Sequence, residues 1–246
     1  MMPDQSTFAE RLTAIEARMA AAAERAGRSP DDVRLLPVSK TMPVDAIREA
    51  HAAGLRTFGE NQVQEALTKY EALTDLSDIE WAIIGNLQTN KARHVAAFAH
   101  SFHALDRVKV AEVLQRRLEG EDRTLEVFVQ VNTSGEESKF GLHPDDLLDT
   151  LRALQPFDRL RVRGLMTLAL FSSDMDRVRP CFRLLADLRE RARQLDVPGM
   201  SFDDLSMGMS GDFEAAIEEG ATVVRVGQSL FGSRTSPHDY WPNSGL

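Results

Sequence analysis

Short apolar runs alternate with longer amphipathic stretches along almost the whole chain. The apolar, β-branched runs predict strands, and the segments between them carry apolar residues at helical spacing. The predicted strands lie near 34–40, 56–60, 80–85, 101–106, 126–132, 161–168, 203–209 and 223–230. The predicted helices lie near 43–53, 62–73, 89–98, 107–118, 144–154, 175–194 and 211–219, after an opening helix at roughly 6–26.

Strands that alternate with helices indicate parallel βαβ units, and eight such units close a (β/α)8 barrel. We therefore predict an α/β fold: a single TIM barrel over about 34–234, with an extra N-terminal helix and a short C-terminal tail. An open doubly wound sheet is the alternative, but its G-x-G-x-x-G signature is missing. Because only about fifteen residues follow the last predicted strand, we expect 1–246 to form one domain with no second domain.

Two helix boundaries carry clear local signals. Pro144 precedes two aspartates, as suits the first turn of a helix. Ser210 is placed to cap a helix over 212–219, and Gly220 is placed to end it.

Composition and charge narrow the class of protein. The net charge of −9 argues against a nucleic-acid surface, which normally shows a basic patch. The chain has one cysteine, Cys181, in an apolar helical context typical of a buried, inert thiol. The first residues do not resemble a signal peptide, and no stretch approaches the roughly 18 apolar residues of a membrane span. We expect a cytoplasmic domain that binds neither nucleic acid nor membrane.

A lysine ends the first apolar run. Alternation along the strand puts Leu36, Val38 and Lys40 on one face. A lone ammonium is expensive to bury, so Lys40 is expected to be paired, pushed towards neutrality or used covalently. The covalent use of such a lysine is a Schiff base with a carbonyl compound.

An arginine in the last predicted strand is the second candidate. Val224 and Val226 point to one side of the strand, so Arg225 and Gly227 share the other. An arginine that points into a barrel needs a ligand or a carboxylate to receive its donors. Arg225 is therefore either part of a structural salt bridge or a cation aimed at the ring of a bound cofactor.

The loops after strands seven and eight are the usual phosphate site of a TIM barrel. Here they carry small residues, among them Ser210, Gly227 and Ser229, which let backbone N–H groups approach an anion. The simpler alternatives are that Ser210 only caps a helix and that Gly227 only relieves crowding.

The exit of the second predicted strand supplies a third element. Asn61 is expected at the barrel mouth, either as a helix cap or in contact with a ligand oxygen beside the lysine. Glu60 and Glu65 are expected to solvate the first turn of the next helix. The loop Gly85–Lys91 is similarly placed, as pocket lining or as a polar loop before a helix.

Other site chemistries find little support. The six histidines form no i, i+4 pair and join no cluster of acids, so we expect no metal site. Ser229 lacks the strained G-x-S-x-G elbow of a serine hydrolase.

Six dispersed motifs, in order and at fitting spacings from about residue 34 to residue 234, together resemble the pyridoxal phosphate homeostasis protein family. They are Val38-Ser39-Lys40-Thr41, Phe58-Gly59-Glu60-Asn61, Ile84-Gly85-Asn86-Leu87-Gln88-Thr89-Asn90-Lys91, Gly164-Leu165-Met166-Thr167, Leu205-Ser206-Met207-Gly208-Met209-Ser210 and Val224-Arg225-Val226-Gly227. The resemblance implies a barrel like the N-terminal domain of alanine racemase, a fold-type III binder of pyridoxal 5′-phosphate (PLP).

The resemblance also implies roles for single residues. Lys40 matches the family's Schiff-base lysine, and Asn61 matches a residue near the cofactor's ring oxygen. Arg225 falls on the partner of the pyridine nitrogen. The phosphate-binding positions correspond to Ser210, Gly227 and Gln228.

The chain departs from the family's pattern at three positions. Gln62 stands where the family often has a tyrosine, and Ala82 stands where a histidine often follows the tryptophan. Gln228 stands where a threonine commonly offers its hydroxyl to the phosphate, so the backbone N–H is the contact that carries over.

These residues favour binding over turnover. A guanidinium has no acceptor and stays charged, so Arg225 would keep the pyridine nitrogen unprotonated and the ring a poorer electron sink. Alanine racemases supply a tyrosine base from a second domain, whereas this chain has only Tyr70, on a predicted outer helix, and Tyr240, in the tail. No catalytic residue is therefore predicted.

The leading hypothesis is a monomeric protein that holds, buffers and delivers PLP, supports vitamin B6 and amino-acid homeostasis, and has PLP-dependent apo-enzymes as acceptors. The second is a PLP-dependent amino-acid racemase or lyase. The third is an aldolase-type barrel that forms Schiff bases without a cofactor.

Overall fold

Eight parallel strands form one sheet that closes on itself in the computed structural model, which describes residues 6–232. Hydrogen-bonded neighbours follow the order β1-β8-β7-β6-β5-β4-β3-β2. The ring is completed where Val38, just beyond β1, bridges Gly59 in β2. The strands are β1 (Arg34–Pro37), β2 (Thr57–Glu60), β3 (Glu80–Ile83), β4 (Ser101–Leu105), β5 (Leu125–Gln130), β6 (Leu160–Met166), β7 (Asp204–Ser206) and β8 (Val223–Val226). The predicted α/β barrel is confirmed.

Helices cover the outside of the barrel. They are α1 (Phe8–Arg25), α2 (Val44–Ala52), α3 (Val63–Ala72), α4 (Ala92–Phe98), α5 (Val108–Gly120), α6 (Leu147–Leu154), α7 (Met175–Gln194), α8 (Phe213–Glu218) and α9 (Gln228–Phe231). Single 3₁₀ turns lie at Pro30–Asp32, Thr89–Lys91 and Pro144–Asp146. Between residues 6 and 232, no helix is long and apolar enough to cross a bilayer.

The extra N-terminal helix packs on the last two helices of the barrel. It begins with a capping box, in which Thr7 and Glu10 satisfy each other's backbone N–H groups. The ring centroids of Phe8 and Phe231 are 5.6 Å apart, and the Arg18 guanidinium lies 4.6 Å from the centroid of Phe213. The apolar face of α1 therefore closes the barrel's outer layer beside its last strand.

The side chains of the strands alternate between two buried apolar regions, one on each face of the sheet. One large core lies between the sheet and the surrounding helices. A smaller cluster, with Leu36, Ala82 and Val223 buried together, lies inside the barrel. Because Leu36 faces inward, alternation along β1 directs Val38 inward as well. The strand predicted over 34–40 is too long, since β1 ends at Pro37 and Lys40 lies in the turn that follows.

Several predicted boundaries are wrong in the last third of the chain. The strand predicted over 223–230 ends at Val226, and α9 begins two residues later. The strand predicted over 203–209 is limited to Asp204–Ser206. Asp212, not Ser210, is the N-cap residue of α8. Gly220 does end that helix, with φ of +100°, and Pro144 does begin a helical turn. The predicted tail lies outside the described residues.

Gly164 in β6 should tolerate no side chain. A Cβ atom there would come within 1.8 Å of the backbone oxygen of Asp204 in the neighbouring strand. We expect Gly164→Ala to lower the free energy of unfolding by about 3 kcal/mol, measured by urea denaturation. Gly120→Ala is the matched control, because a Cβ at this helical position meets nothing within 4 Å and should stabilise the protein by about 0.5 kcal/mol. Equal effects would contradict the prediction.

Candidate functional site

Lys40 lies just beyond the carboxyl end of β1, at the mouth of the barrel. The two residues before Lys40 are hydrogen-bonded to the strands on either side. Val38 N–H donates to Val226 O of β8 at 2.9 Å, and Ser39 N–H donates to Gly59 O of β2 at 3.0 Å. Lys40 is half-buried. It lines a cavity of about 20 Å³ whose walls are Val38, Lys40, Met42, Gly227, Gln228, Phe231 and Gly232. The structure thus brings together three of the predicted site residues.

Gly227 makes the close approach of β8 and β1 possible at this cavity. A Cβ atom at this position would come within 3.0 Å of the Val38 backbone oxygen. Gly227 is also the N-cap residue of α9, which starts at Gln228. Leu230 N–H and Phe231 N–H both donate to Gly227 O at 2.9 Å, so the backbone donor of this turn that lies next to Lys40 is the N–H of Gln228, its first residue.

Arg225 points into the barrel and is 3% exposed. Its guanidinium donates from Nη1 to Ser206 Oγ and from Nη2 to the Thr167 carbonyl oxygen, both at 2.7 Å. Burial lowers the pKa of Arg225 to about 10, so it remains a cation at neutral pH. Among the described residues no carboxylate lies within ion-pair distance of it, so the structural salt bridge considered from the sequence is not present there. Its two acceptors, the Ser206 hydroxyl and the Thr167 carbonyl, are uncharged, so within residues 6–232 the charge of Arg225 is not balanced by a carboxylate in contact with it.

His103 supports Arg225 through Ser206. Its Nδ1 lies 3.0 Å from Ser206 Oγ and its Nε2 lies 3.2 Å from Ser101 Oγ. Burial and then the charge of Arg225 lower the pKa of His103 to about 3, so the ring is neutral. Ser206 Oγ therefore accepts from Arg225 and shares a second hydrogen bond with the His103 ring. Sequence reasoning missed this network, although Ser101 and His103 occupy alternate, inward positions of one strand.

Asn61 and Ser210 lie at the same end of the barrel. Asn61 directly follows β2 and is exposed, and its carbonyl oxygen would be 2.0 Å from a Cβ on Gly85. Ser210 lies in the loop between β7 and α8, and that loop is tied to β8 because Arg225 N–H donates to Gly208 O at 3.0 Å. Within residues 6–232 neither Asn61 nor Ser210 lines the small cavity at Lys40.

A buried ion cluster lies beside the Lys40 backbone. Lys69 and Glu60 are both 0% exposed. The Lys69 ammonium donates at 2.7 Å to Glu60 Oε1, to Glu65 Oε1 and to the Ser39 carbonyl oxygen. The expectation that Glu60 and Glu65 only solvate a helix turn is therefore wrong. The i, i+4 spacing of Glu65 and Lys69 was the available sequence signal.

Residues 11–235 match the family described as the alanine racemase N-terminal domain. The chain is 45% identical over 226 residues to the pyridoxal phosphate homeostasis protein of Aquifex aeolicus, covering 92% of this chain and 97% of that protein. It is 46% identical over 229 residues to the protein of the same name from Pseudomonas aeruginosa, covering 93% and 96%. The chain belongs to the pyridoxal phosphate homeostasis protein family.

Solved structures of related proteins agree with this membership. PipY of Synechococcus elongatus, which is 37% identical, matches with a TM-score of 0.83 without PLP and 0.77 with PLP bound. Each comparison covers 92% of this chain and 100% of PipY. Alanine racemase of Streptomyces lavendulae has a TM-score of 0.70 at 18% identity, covering 92% of this chain and 59% of that enzyme, and shows the shared fold alone.

Alanine racemases use a tyrosine as a base, so the positions of the two tyrosines in this chain bear on its chemistry. Tyr70 lies on α3, outside the barrel, where it is 40% exposed. Its ring stacks on that of Phe98 with centroids 4.9 Å apart. Tyr240 lies outside the described residues. Cys181 is buried as expected, and the described part of the chain contains no group of three or more metal-ligating side chains.

Glu60 should make the stability of the protein depend on pH. Burial raises its pKa from 4.5 to about 7, against the lowering effect of Lys69. Since the folded protein keeps this proton to a higher pH than the unfolded chain, its stability should fall as the pH rises from about 4.5 through about 7. In Glu60→Gln, which cannot lose this proton, the free energy of unfolding should therefore fall by about 2 kcal/mol less over this pH range than in the wild type.

Urea unfolding at pH 5 and pH 8 measures this difference. Glu112→Gln is the control, because its carboxylate pairs with Lys109 on the surface, where its side chain is 43% exposed. Parallel pH profiles for Glu60→Gln and the wild type would contradict the assignment.

Proposed function

We propose that this protein binds PLP through a Schiff base between the cofactor's aldehyde and Lys40, and that it stores and delivers the cofactor with little or no turnover of amino acids. The observation that carries the proposal is the position of Lys40. Lys40 is half-buried at the barrel mouth and lies in one cavity with Gly227 and Gln228. The PLP-bound structure of PipY supports the choice of ligand.

Arg225 fits the ring of this cofactor. When bound, PLP supplies an aldehyde and a pyridine ring that can stabilise negative charge. The buried guanidinium is held by Ser206 and Thr167, and the charge of the Asp212 carboxylate acts on it only from beyond ion-pair distance. A pyridine nitrogen is an acceptor that would receive one of its N–H groups. Since arginine only donates, the nitrogen would stay unprotonated, which disfavours carbanion chemistry.

The phosphate and the ring oxygen have candidate partners at the same end of the barrel. We assign the phosphate to the backbone donors of Gly227 and Gln228, with Ser210 contributing from the adjacent loop. The start of α9 supports this assignment, because Gln228 is exposed there and directly follows Gly227, the N-cap residue. Asn61, at the exit of β2, is assigned to the ring oxygen.

The position of Tyr70 favours storage of PLP over racemisation of amino acids. The racemase reaction needs a base on each face of the substrate, and the tyrosine that the described residues provide, Tyr70, lies outside the barrel. We propose PLP-dependent apo-enzymes as the acceptors of the delivered cofactor.

The test is the absorption spectrum of the freshly purified protein, recorded before and after hydroxylamine. An imine band that hydroxylamine removes is the expected result, and its absence after incubation with PLP would overturn the proposal. Loss of α-deuterium from amino acids should match that with free PLP. Faster exchange would favour the racemase or lyase instead.

A further inference from the structure

The backbone groups on both sides of Lys40 are held by charged side chains from α3. The carbonyl oxygen of Ser39 accepts from Lys69 Nζ at 2.7 Å. The N–H of Thr41 donates to Glu65 Oε1 at 2.5 Å. The residue proposed to bind PLP therefore lies between two backbone contacts made by one helix.

Thr41 requires such a contact because its backbone is strained. Its φ of +64° lies in the left-handed region, which β-branched residues rarely adopt. A strained backbone of this kind persists only where its surroundings hold it in place, and such residues cluster at functional sites. The bond from Thr41 N–H to Glu65 supplies that restraint directly after Lys40.

The two clamping side chains are themselves rigidly held. Lys69 uses its three ammonium hydrogens on Glu60, Glu65 and the Ser39 carbonyl. Ser39 is further fixed, because its hydroxyl donates to Glu60 Oε1 at 2.7 Å. Hydrogen bonds in which the donor is an ammonium are short and strong, so these three contacts leave the Lys69 side chain little freedom.

We propose that Glu65 and Lys69 are positioning residues for Lys40. They clamp the peptide groups before and after it, so that its amino group meets the aldehyde of PLP from a fixed backbone. A reacting group held in place avoids the entropic cost of finding its partner. This inference rests on the proposed function, since it concerns the same lysine.

Two substitutions of Glu65 separate positioning from electrostatic stabilisation. Glu65→Asp keeps the charge beside Lys69 but withdraws the oxygen from Thr41 N–H. Glu65→Gln loses the charge but keeps an oxygen at the same reach. If the clamp positions Lys40, the Asp variant should lose about tenfold in PLP affinity, measured by titration of the imine band, and the Gln variant about threefold or less.

Thr41→Gly supplies a rescue. Glycine adopts a positive φ without strain, so adding it to Glu65→Asp should recover part of the lost affinity. Glu112→Asp shortens a glutamate in the exposed pair with Lys109 and should bind PLP like the wild type. Thermal unfolding of each variant separates loss of affinity from loss of fold.

Wild-type affinity in Glu65→Asp, or weaker binding in Glu65→Gln than in Glu65→Asp, would overturn the clamp while leaving the proposed function intact. A wild-type protein that forms no imine would overturn the proposed function, and the clamp with it.

Discussion

Lys40→Ala should abolish the imine band completely, because no other lysine is placed to replace it at this cavity. The cavity wall carries Lys40 and no second lysine among the described residues. The variant should retain only non-covalent PLP, through the phosphate and ring contacts. Absorbance after incubation with PLP and gel filtration measures the loss.

Borohydride reduction followed by peptide mapping tests the same assignment on the wild-type protein. The label is expected on Lys40. Lys69 cannot compete, since it is fully buried and its ammonium is held by two carboxylates and a carbonyl oxygen. Lys91→Ala is the control, because this lysine also follows a strand at the barrel mouth and should leave the band unchanged. A label on Lys69, Lys91, Lys109 or Lys139 would refute the assignment.

Alternation along single strands was enough to predict which side chains share one face of the sheet. It grouped Lys40 with Leu36 and Val38, and Arg225 with Gly227, without deciding which face was the barrel interior. The register of β1 and β8 brings Leu36 beside the buried Arg225, which identifies the inward face of both strands, and Lys40 lies in the turn directly after β1. Local pattern is informative here because side-chain direction in a strand follows sequence position.

The sequence pattern did not predict where β7 and β8 end. Met207 and Leu230 are fully buried although neither lies in a strand. A buried turn, a short helix and a strand all require apolar side chains, so composition does not distinguish them. Gly208 adopts φ of +91° in this turn, and a Cβ there would come within 2.6 Å of Ala216 Cβ.

Contacts between residues far apart in the chain could not be predicted from the sequence pattern either. Ser206 and His103 are 103 positions apart, yet they share a hydrogen bond. Each looks like an ordinary polar residue within its own strand. Only the closed barrel brings them together and explains how a buried guanidinium is oriented. The assignment of Arg225 to the ring nitrogen therefore gains a physical basis that its own sequence motif did not contain.

Arg225→Glu should change the absorption spectrum of the PLP-loaded protein more than any other substitution that leaves Lys40 in place. Arginine offers only donors, whereas a carboxylate offers only acceptors when ionised. A glutamate at the ring nitrogen would hold a proton between them and make the ring a pyridinium. Removing the Arg225 charge should also raise the pKa of His103, because that charge helps to lower it.

Arg225→Lys is the matched control for the spectrum. It keeps a cation without an acceptor, so the ring nitrogen should remain unprotonated even if the fork geometry at Ser206 and Thr167 is lost. Loading is checked separately, by release of PLP with hydroxylamine, so that poor binding is not mistaken for a spectral effect. An unaltered spectrum in cofactor-loaded Arg225→Glu would contradict the assignment of Arg225 to the ring nitrogen.

A protonated ring is also the better electron sink. If Arg225 is what limits turnover, Arg225→Glu should therefore speed the loss of α-deuterium from amino acids.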